Sequence, residues 1–182
     1  MIVVARGGLV PAPVEAVWAV VRQVEELPAW LVGLGHAEAR GPEGYGRRLR
    51  LDGSRAGDGR ERQAEVIAWR APTLLAWRYV AERAVPRSAG PDFADPGLDP
   101  AWLPVRADEL HIQLTPAGTA TRLDLYAVCP AGLFDGLLIR WGPARRWKAE
   151  LARSAAALAA MFPAPARPDA GHGGPTAPAR VG

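Results

Sequence analysis

Two periodicities divide the chain. From Ile2 to Val10 the chain is rich in β-branched residues, which predicts a strand. Pro11 and Pro13 stop it. From Val14 to Val24 the apolar positions Val14, Val17, Trp18, Val21 and Val24 fall on one face of a helix, with Glu15, Arg22 and Gln23 opposite. Pro13 suits the first turn of that helix, where a missing N–H is tolerated. Leu27-Pro28 should end it, and Ala29 to Leu34 should form a second short helical turn stopped by Gly33 and Gly35.

From His36 the period changes to two. His36–Arg40 and Tyr45–Leu51 read as strands. Arg60–Arg70 and Leu74–Ala84 read as a hairpin around Ala71-Pro72-Thr73. The turn suggests Val66 opposite Tyr79 and Ala68 opposite Trp77 on one face, with Ile67 and Arg78 on the other. Glu109–Thr115 and Thr119–Val128 form a second hairpin around Pro116-Ala117-Gly118, setting Gln113 opposite Arg122 and His111 opposite Asp124. Leu110, Ile112, Leu114, Thr121, Leu123 and Leu125 make one greasy face. The other is charged, so the sheet has one wet side.

The last periodic stretch is helical. Leu137, Trp141, Ala144, Lys148, Leu151, Ala155, Leu158 and Phe162 recur at steps of four and three, one stripe of a helix over Leu133–Phe162. Such a helix is roughly 40 Å long and needs a wide partner, which the strands supply. Lys148, the one charged position on the stripe, is also the only lysine.

Two segments lack any period. Residues 85–107 are too rich in proline for a ladder, yet carry Phe93, Leu98, Trp102 and Leu103. A connection this long is a candidate lid. Residues 163–182 are a Pro/Ala/Gly-rich tail expected to be disordered. Residues 1–162 therefore read as a single domain.

Composition narrows the chemistry. Hydrophobic residues make up 49% and charged residues 23%, as in ordinary globular domains. The pI is about 9.6, but the net charge is only +3. Twenty-one arginines against one lysine, with abundant Ala, Gly and Pro, read as the coding bias of a GC-rich genome rather than as a nucleic-acid surface. Seven tryptophans imply large apolar walls. Cys129 is the only cysteine, so no intrachain disulfide and no metal-ligand spacing exist. No metal or other cofactor is expected. The first six residues are too soon interrupted by charge for a signal peptide. No segment approaches the ~20 apolar residues of a membrane span. The expected location is the bacterial cytoplasm.

The order of strand, two short helices, about six antiparallel strands and one long helix resembles the SRPBCC (START-like, Bet v 1-like) superfamily, within it the polyketide cyclase/dehydrase-like branch. Pro13-Val14-Glu15-Ala16-Val17-Trp18 resembles its "P-x-x-x-V-W" first helix. Leu27-Pro28-Ala29-Trp30 resembles its second. Glu65–Pro72 followed by Leu74-Leu75-Ala76-Trp77 is similar to its Pro-turn hairpin, and Thr121-Arg122-Leu123-Asp124-Leu125 to its last strand. The resemblance spans residues 1–162. Its implications are an α+β helix-grip fold, a curved antiparallel sheet of about seven strands around the long helix, and a hydrophobic cavity between them.

In such a cavity the alternation places Val66, Ala68, Trp77, Tyr79, Leu110, Ile112, Leu123 and Leu125 on the sheet side. The helix would add Trp141, Arg145 and Lys148, and Trp30, Tyr45 and Trp102 would line or close the mouth. Tyr79 and Lys148 are candidate catalytic groups: a phenol that donates to a carbonyl, and an amine with a lowered pKa that acts as base or steers an enolate. The bland readings are a satisfied buried phenol and a snorkelling lysine. His111 and Asp124 share the polar face, which argues against a dyad. The expected partner is an apolar small molecule, polyketide-like or lipid-like, bound by a monomer or weak dimer without nucleic acid. Three functions fit: a polyketide cyclase or aromatase, a non-enzymatic lipid or quinone carrier or sensor, and a protein-interaction module of the same fold.

Overall fold

The two periods become one sheet and three helices among the described residues. A computed structural model of the chain describes residues 2–52, 60–84, 108–129 and 143–163. Strand β1 covers Ile2–Val10, and helix α1 covers Val14–Val21. A short 3-10 turn at Val24–Glu26 leads into α2, Leu27–Trp30. Then follow β2 (His36–Arg40), β3 (Arg48–Asp52), β4 (Arg60–Arg70), β5 (Leu74–Ala84), β6 (Glu109–Ala117), β7 (Ala120–Cys129) and α3 (Pro143–Ala160). The seven strands lie in the order β1-β7-β6-β5-β4-β3-β2, every neighbouring pair antiparallel. This is the helix-grip α+β arrangement.

The amino-terminal boundaries differ from expectation at one proline. Leu27-Pro28 begins α2 instead of ending α1. Pro28 stands at the second position of α2, where its missing N–H has no helical partner to lose. The first helix stops earlier because Gln23 is extended, φ −81° and ψ 97°. Its buried face is the expected one: Val14, Val17, Trp18 and Val21.

Alternation sorts the sheet into a dry face and a wet one. One inner rung runs Val66, Trp77, Leu110, Ala127 and Val4 across five strands, all at most 2% exposed. Leu75, Ile112 and Leu125 form the next, each fully buried. The outer face carries Arg78, Glu109, His111, Gln113, Arg122 and Asp124.

Both hairpins depart from the expected register. In β4–β5, Val66 pairs with Trp77 and Ala68 with Ala76, leaving Ile67 as a bulge. A second irregularity sets Ala64 opposite Tyr79 and Gln63 opposite Ala81, so Val80 is passed over. An extra residue reverses the facing of everything beyond it. Ala68 therefore turns outward and Trp69 inward, where Trp69 meets Trp18 edge-on at 5.3 Å and 73°. In β6–β7 the turn is Gly118-Thr119, closed by Ala117 and Ala120. Gly118 has φ +68° at the position where a two-residue hairpin favours glycine. Pro116 sits inside the ladder opposite Thr121, and the pairing shifts accordingly. Gln113 faces Asp124, and His111 faces Tyr126.

Helix α3 lies chiefly along β1, with α2 beside it. The two elements approach at Gly8, where an added Cβ would just touch the Ala155 Cβ at 3.4 Å. The α2 end is tied down by one serine. Ser154 Oγ accepts the Val32 N–H at 2.9 Å and donates to the Glu150 carbonyl at 2.9 Å.

The face of α3 is rotated from the expected stripe. Leu151, Ala155 and Leu158 are buried as expected, but the next buried apolar residue back is Trp147, and Lys148 is exposed. A strict four-three repeat drifts about 20° per heptad against a straight α-helix. Trp147 and Lys148 flank the seam one turn before Leu151. Burying the indole removes a large apolar surface from water, whereas burying the ammonium carries a desolvation cost. Glu150 and Ser154 share the buried face at 4% and 1% exposure.

Candidate ligand-binding interior

The charged end of the inner face starts on β4. Arg62, Ala64 and Val66 alternate on one side of that strand, so Arg62 begins the same inward row as fully buried Val66. Tyr79 lies opposite Ala64, which is 1% exposed. The Arg62 guanidinium reaches across and sits 4.7 Å from the centre of the Tyr79 ring. Such stacking is electrostatic, and it strengthens when water is excluded. Next to Tyr79 on the same face is Trp77, with no solvent exposure.

The Trp77 N–H is directed at the Tyr79 hydroxyl. The Trp30 N–H, in α2, is buried without a hydrogen-bond partner among the described residues; such a group costs on the order of 1–3 kcal/mol if left dry and unpaired. Burial pushes the Tyr79 phenol above its usual value, and the Trp77 N–H and the Arg62 charge oppose that shift without cancelling it. Tyr79 is therefore a protonated hydroxyl at neutral pH, able to donate. Cys129 lies buried at the end of β7, and burial, aided by Asp108, pushes its thiol up to about 11. It is a packing residue rather than a nucleophile.

The expected cavity residues separate into groups. Val66, Trp77, Leu110, Ile112, Leu123 and Leu125 all face inward and are 0–2% exposed, so this part of the interior is filled. Tyr79 is half-buried at the more open end. Trp30 is 1% exposed in α2 and belongs to the core rather than to a mouth. Tyr45 is 78% exposed, beside Arg78 on the outer face. It precedes β3, which starts only at Arg48. Arg145 and Lys148 are exposed on α3, turned away by the rotation that buries Trp147. Trp102, Trp141 and the 85–107 segment lie outside the described residues, as does the tail beyond Pro163.

His111 and Asp124 do not meet. His111 Nε2 is 2.9 Å from Glu109 Oε2, and the other oxygen of Glu109 accepts from Arg78 at 2.7 and 2.9 Å. Asp124 accepts from Arg122 at 2.9 Å. Burial raises the Glu109 pKa, but the hydrogen bonds from His111 and Arg78 outweigh it and hold the carboxyl below its ordinary value. These are pairs on the wet face.

Sequence reasoning missed Arg62, Trp147 and Glu150. Arg62 was within reach of the alternation that placed Val66, had the row been followed further back along the strand. Among the described residues, no three His, Cys, Asp or Glu side chains come together as a metal set. No described helix is long and apolar enough to cross a membrane.

A sequence model described as polyketide cyclase / dehydrase and lipid transport matches residues 1–162. No curated protein matches the sequence. Several solved structures share the fold. DynU16, a protein of the dynemicin biosynthetic locus, is 23% identical with a TM-score of 0.56, over 87% of this chain and 46% of its own. The chain thus spans under half the length of DynU16. The Aha1 dimer from Colwellia psychrerythraea is 13% identical with a TM-score of 0.52, over 87% of this chain and 96% of its own. TTHA0849 from Thermus thermophilus is 18% identical with a TM-score of 0.56, over 88% of this chain and 99% of its own.

Proposed function

The chain belongs to the polyketide cyclase / dehydrase and lipid transport family, and from that premise we propose that it binds an apolar, oxygen-bearing small molecule at the Arg62–Tyr79 end of its inner face. One observation carries this reading. A guanidinium stacked on a protonated phenol, whose hydroxyl also faces the Trp77 N–H, is a polar cluster on an otherwise apolar wall. A ligand carbonyl would accept from the Tyr79 hydroxyl. Pure hydrocarbon offers no oxygen to these polar groups, so the site favours polyketide-like or quinone-like guests over saturated tails.

The same donors suit a cyclase. Folding a poly-carbonyl chain brings an enol carbon against a distant carbonyl, and negative charge develops on the carbonyl oxygen. Arg62 and the Tyr79 hydroxyl would stabilise that oxygen. The raised phenol pKa also favours a second reading, a carrier that releases its ligand unchanged: Tyr79 donates at neutral pH but does not accept a proton.

Calorimetric titration of the full chain with a hydroxylated anthraquinone tests the site. Saturable binding is expected, weakened roughly threefold to tenfold by Tyr79→Phe, the loss of one hydrogen bond. Arg62→Met should weaken it further. Absence of binding, or equal affinity in both variants, would overturn the assignment. Chromatography with mass and ultraviolet detection of a linear poly-carbonyl probe after incubation separates the two readings: a cyclised isomer or its dehydration product supports a cyclase, and recovery of the linear probe alone supports a carrier.

A further inference from the structure

The outer face carries a second concavity, at the opposite side of the sheet from the proposed ligand site and independent of it. It is a half-open groove of about 600 Å³ over β2, β3 and β4, walled by Arg40, Arg48, Arg50, Gln63, Glu65 and Val80. Its charge is set by register. Arg40 and Arg48 are direct cross-strand partners, and Arg50 is two positions further along β3 on the same face. Partner Cα atoms in such a ladder stand about 5 Å apart, and alternate residues of one strand about 7 Å apart. Three guanidiniums therefore rise from one small patch. Like charges placed directly opposite each other destabilise a sheet, so this arrangement calls for a compensating anion.

The protein's own acids compensate only in part. Glu65 faces Arg48 across β3–β4, Arg78 being held by Glu109, and Glu38 stands opposite Arg50, which has an interaction of its own, so two carboxylates face three guanidiniums. Arg40 has an ion pair with Glu38 at 3.3 Å, with both side chains exposed, 70% and 41%, and such a pair is weak. Arg48 forms no ion pair with any described residue. Guarding an edge strand with charge would account for Arg40 on β2. It does not account for Arg48 and Arg50, which stand on the second strand in.

Shape decides the size of the occupant. The volume falls within the range of small-molecule sites. Val80, pushed out by the β5 irregularity, is 56% exposed and forms an apolar wall. More than one arginine around one opening exceeds the need of a single carboxylate and suits a dianionic tetrahedral group that several planar forks can share.

We propose that this groove binds a phosphate group carried on a small organic body, gripped by Arg48 with Arg40 and Arg50 on either side. The phosphate would belong either to a soluble ester or to a phospholipid headgroup. Titration of the full chain at low salt with inorganic pyrophosphate and with phenyl phosphate tests the first source. Co-sedimentation with phosphatidylcholine vesicles, with and without phosphatidic acid, tests the second. Saturable submillimolar binding is expected, weakened at least about tenfold in Arg48→Gln and more in the Arg40→Gln/Arg48→Gln pair. Both side chains are exposed, so circular dichroism should be unchanged. Binding only to vesicles that contain phosphatidic acid, lost in the same variants, would assign the headgroup. The proposal is overturned if neither source binds, if the variants bind as the parent does, or if Arg122→Gln on the far strand weakens binding equally. Anthraquinone affinity should be unaffected by Arg48→Gln, which keeps this test separate from that of the interior.

Discussion

Replacing Trp147 and Lys148 in turn by alanine tests which face of α3 grips the sheet. The two are adjacent, and a strict heptad stripe buries the lysine, whereas the observed helix buries the tryptophan completely. Deleting a fully buried aromatic side chain removes its transfer free energy and leaves a void, a loss of about 3–5 kcal/mol. Trp147 also makes a further polar or ring interaction that the truncation abolishes. Against a total stability of ~5–15 kcal/mol for a domain, that loss is severe. For a chain this size each kcal/mol moves the midpoint by about 2–4 °C, so Trp147→Ala should melt roughly 6–20 °C lower. Lys148→Ala removes an exposed side chain and adds helix propensity, so its effect should stay within about 0.5 kcal/mol. Urea and thermal unfolding followed by far-UV circular dichroism is the appropriate measurement, because the substitution itself alters tryptophan fluorescence. The reasoning fails if Lys148→Ala is the more destabilised of the two, or if Trp147→Ala unfolds with the parent's midpoint.

Two further outcomes follow from packing and charge. A Cβ at Gly7 would run into the Asp124 side chain and lie 2.6 Å from the Leu123 carbonyl, whereas one at Gly8 would meet only the Ala155 methyl at 3.4 Å. Gly7→Ala should therefore lose about 1–3 kcal/mol in urea unfolding, and Gly8→Ala should be close to neutral. The depressed Glu109 carboxyl contributes stability that is complete above its ordinary value of 4.5 and is lost as pH falls through its lower folded value. Parent and Glu109→Gln should differ by a constant amount above that ordinary value and converge below it, and a gap that widens on acidification would contradict the pairing.

The element boundaries were legible because they depend on neighbours in the chain. Ile2–Val10, His36–Arg40, Arg60–Arg70 and Leu74–Ala84 fall between the proline and glycine positions that interrupt the chain. The inward set Val66, Trp77, Leu110, Ile112, Leu123 and Leu125 follows from the period of two alone. The candidate site was legible only in half. Tyr79 was readable as an inward phenol, but the Arg62 that covers it comes from another strand, through a register that two irregularities adjust.

The sequence by itself thus determined which stretches make strands and helices, which side is apolar in α1 and most strands, and hence the order of elements that identifies the family. Those are local matters of sterics and period. Tertiary structure decided everything that depends on a phase between elements: Ile67 bulging so that Trp69 can reach Trp18, the turn closing at Gly118-Thr119, and α3 rotating to bury Trp147 in place of Lys148. In each case two phases satisfy the same local pattern. The choice falls to whichever buries the larger apolar side chain while leaving charge in water, and that quantity exists only once the partner surface is present.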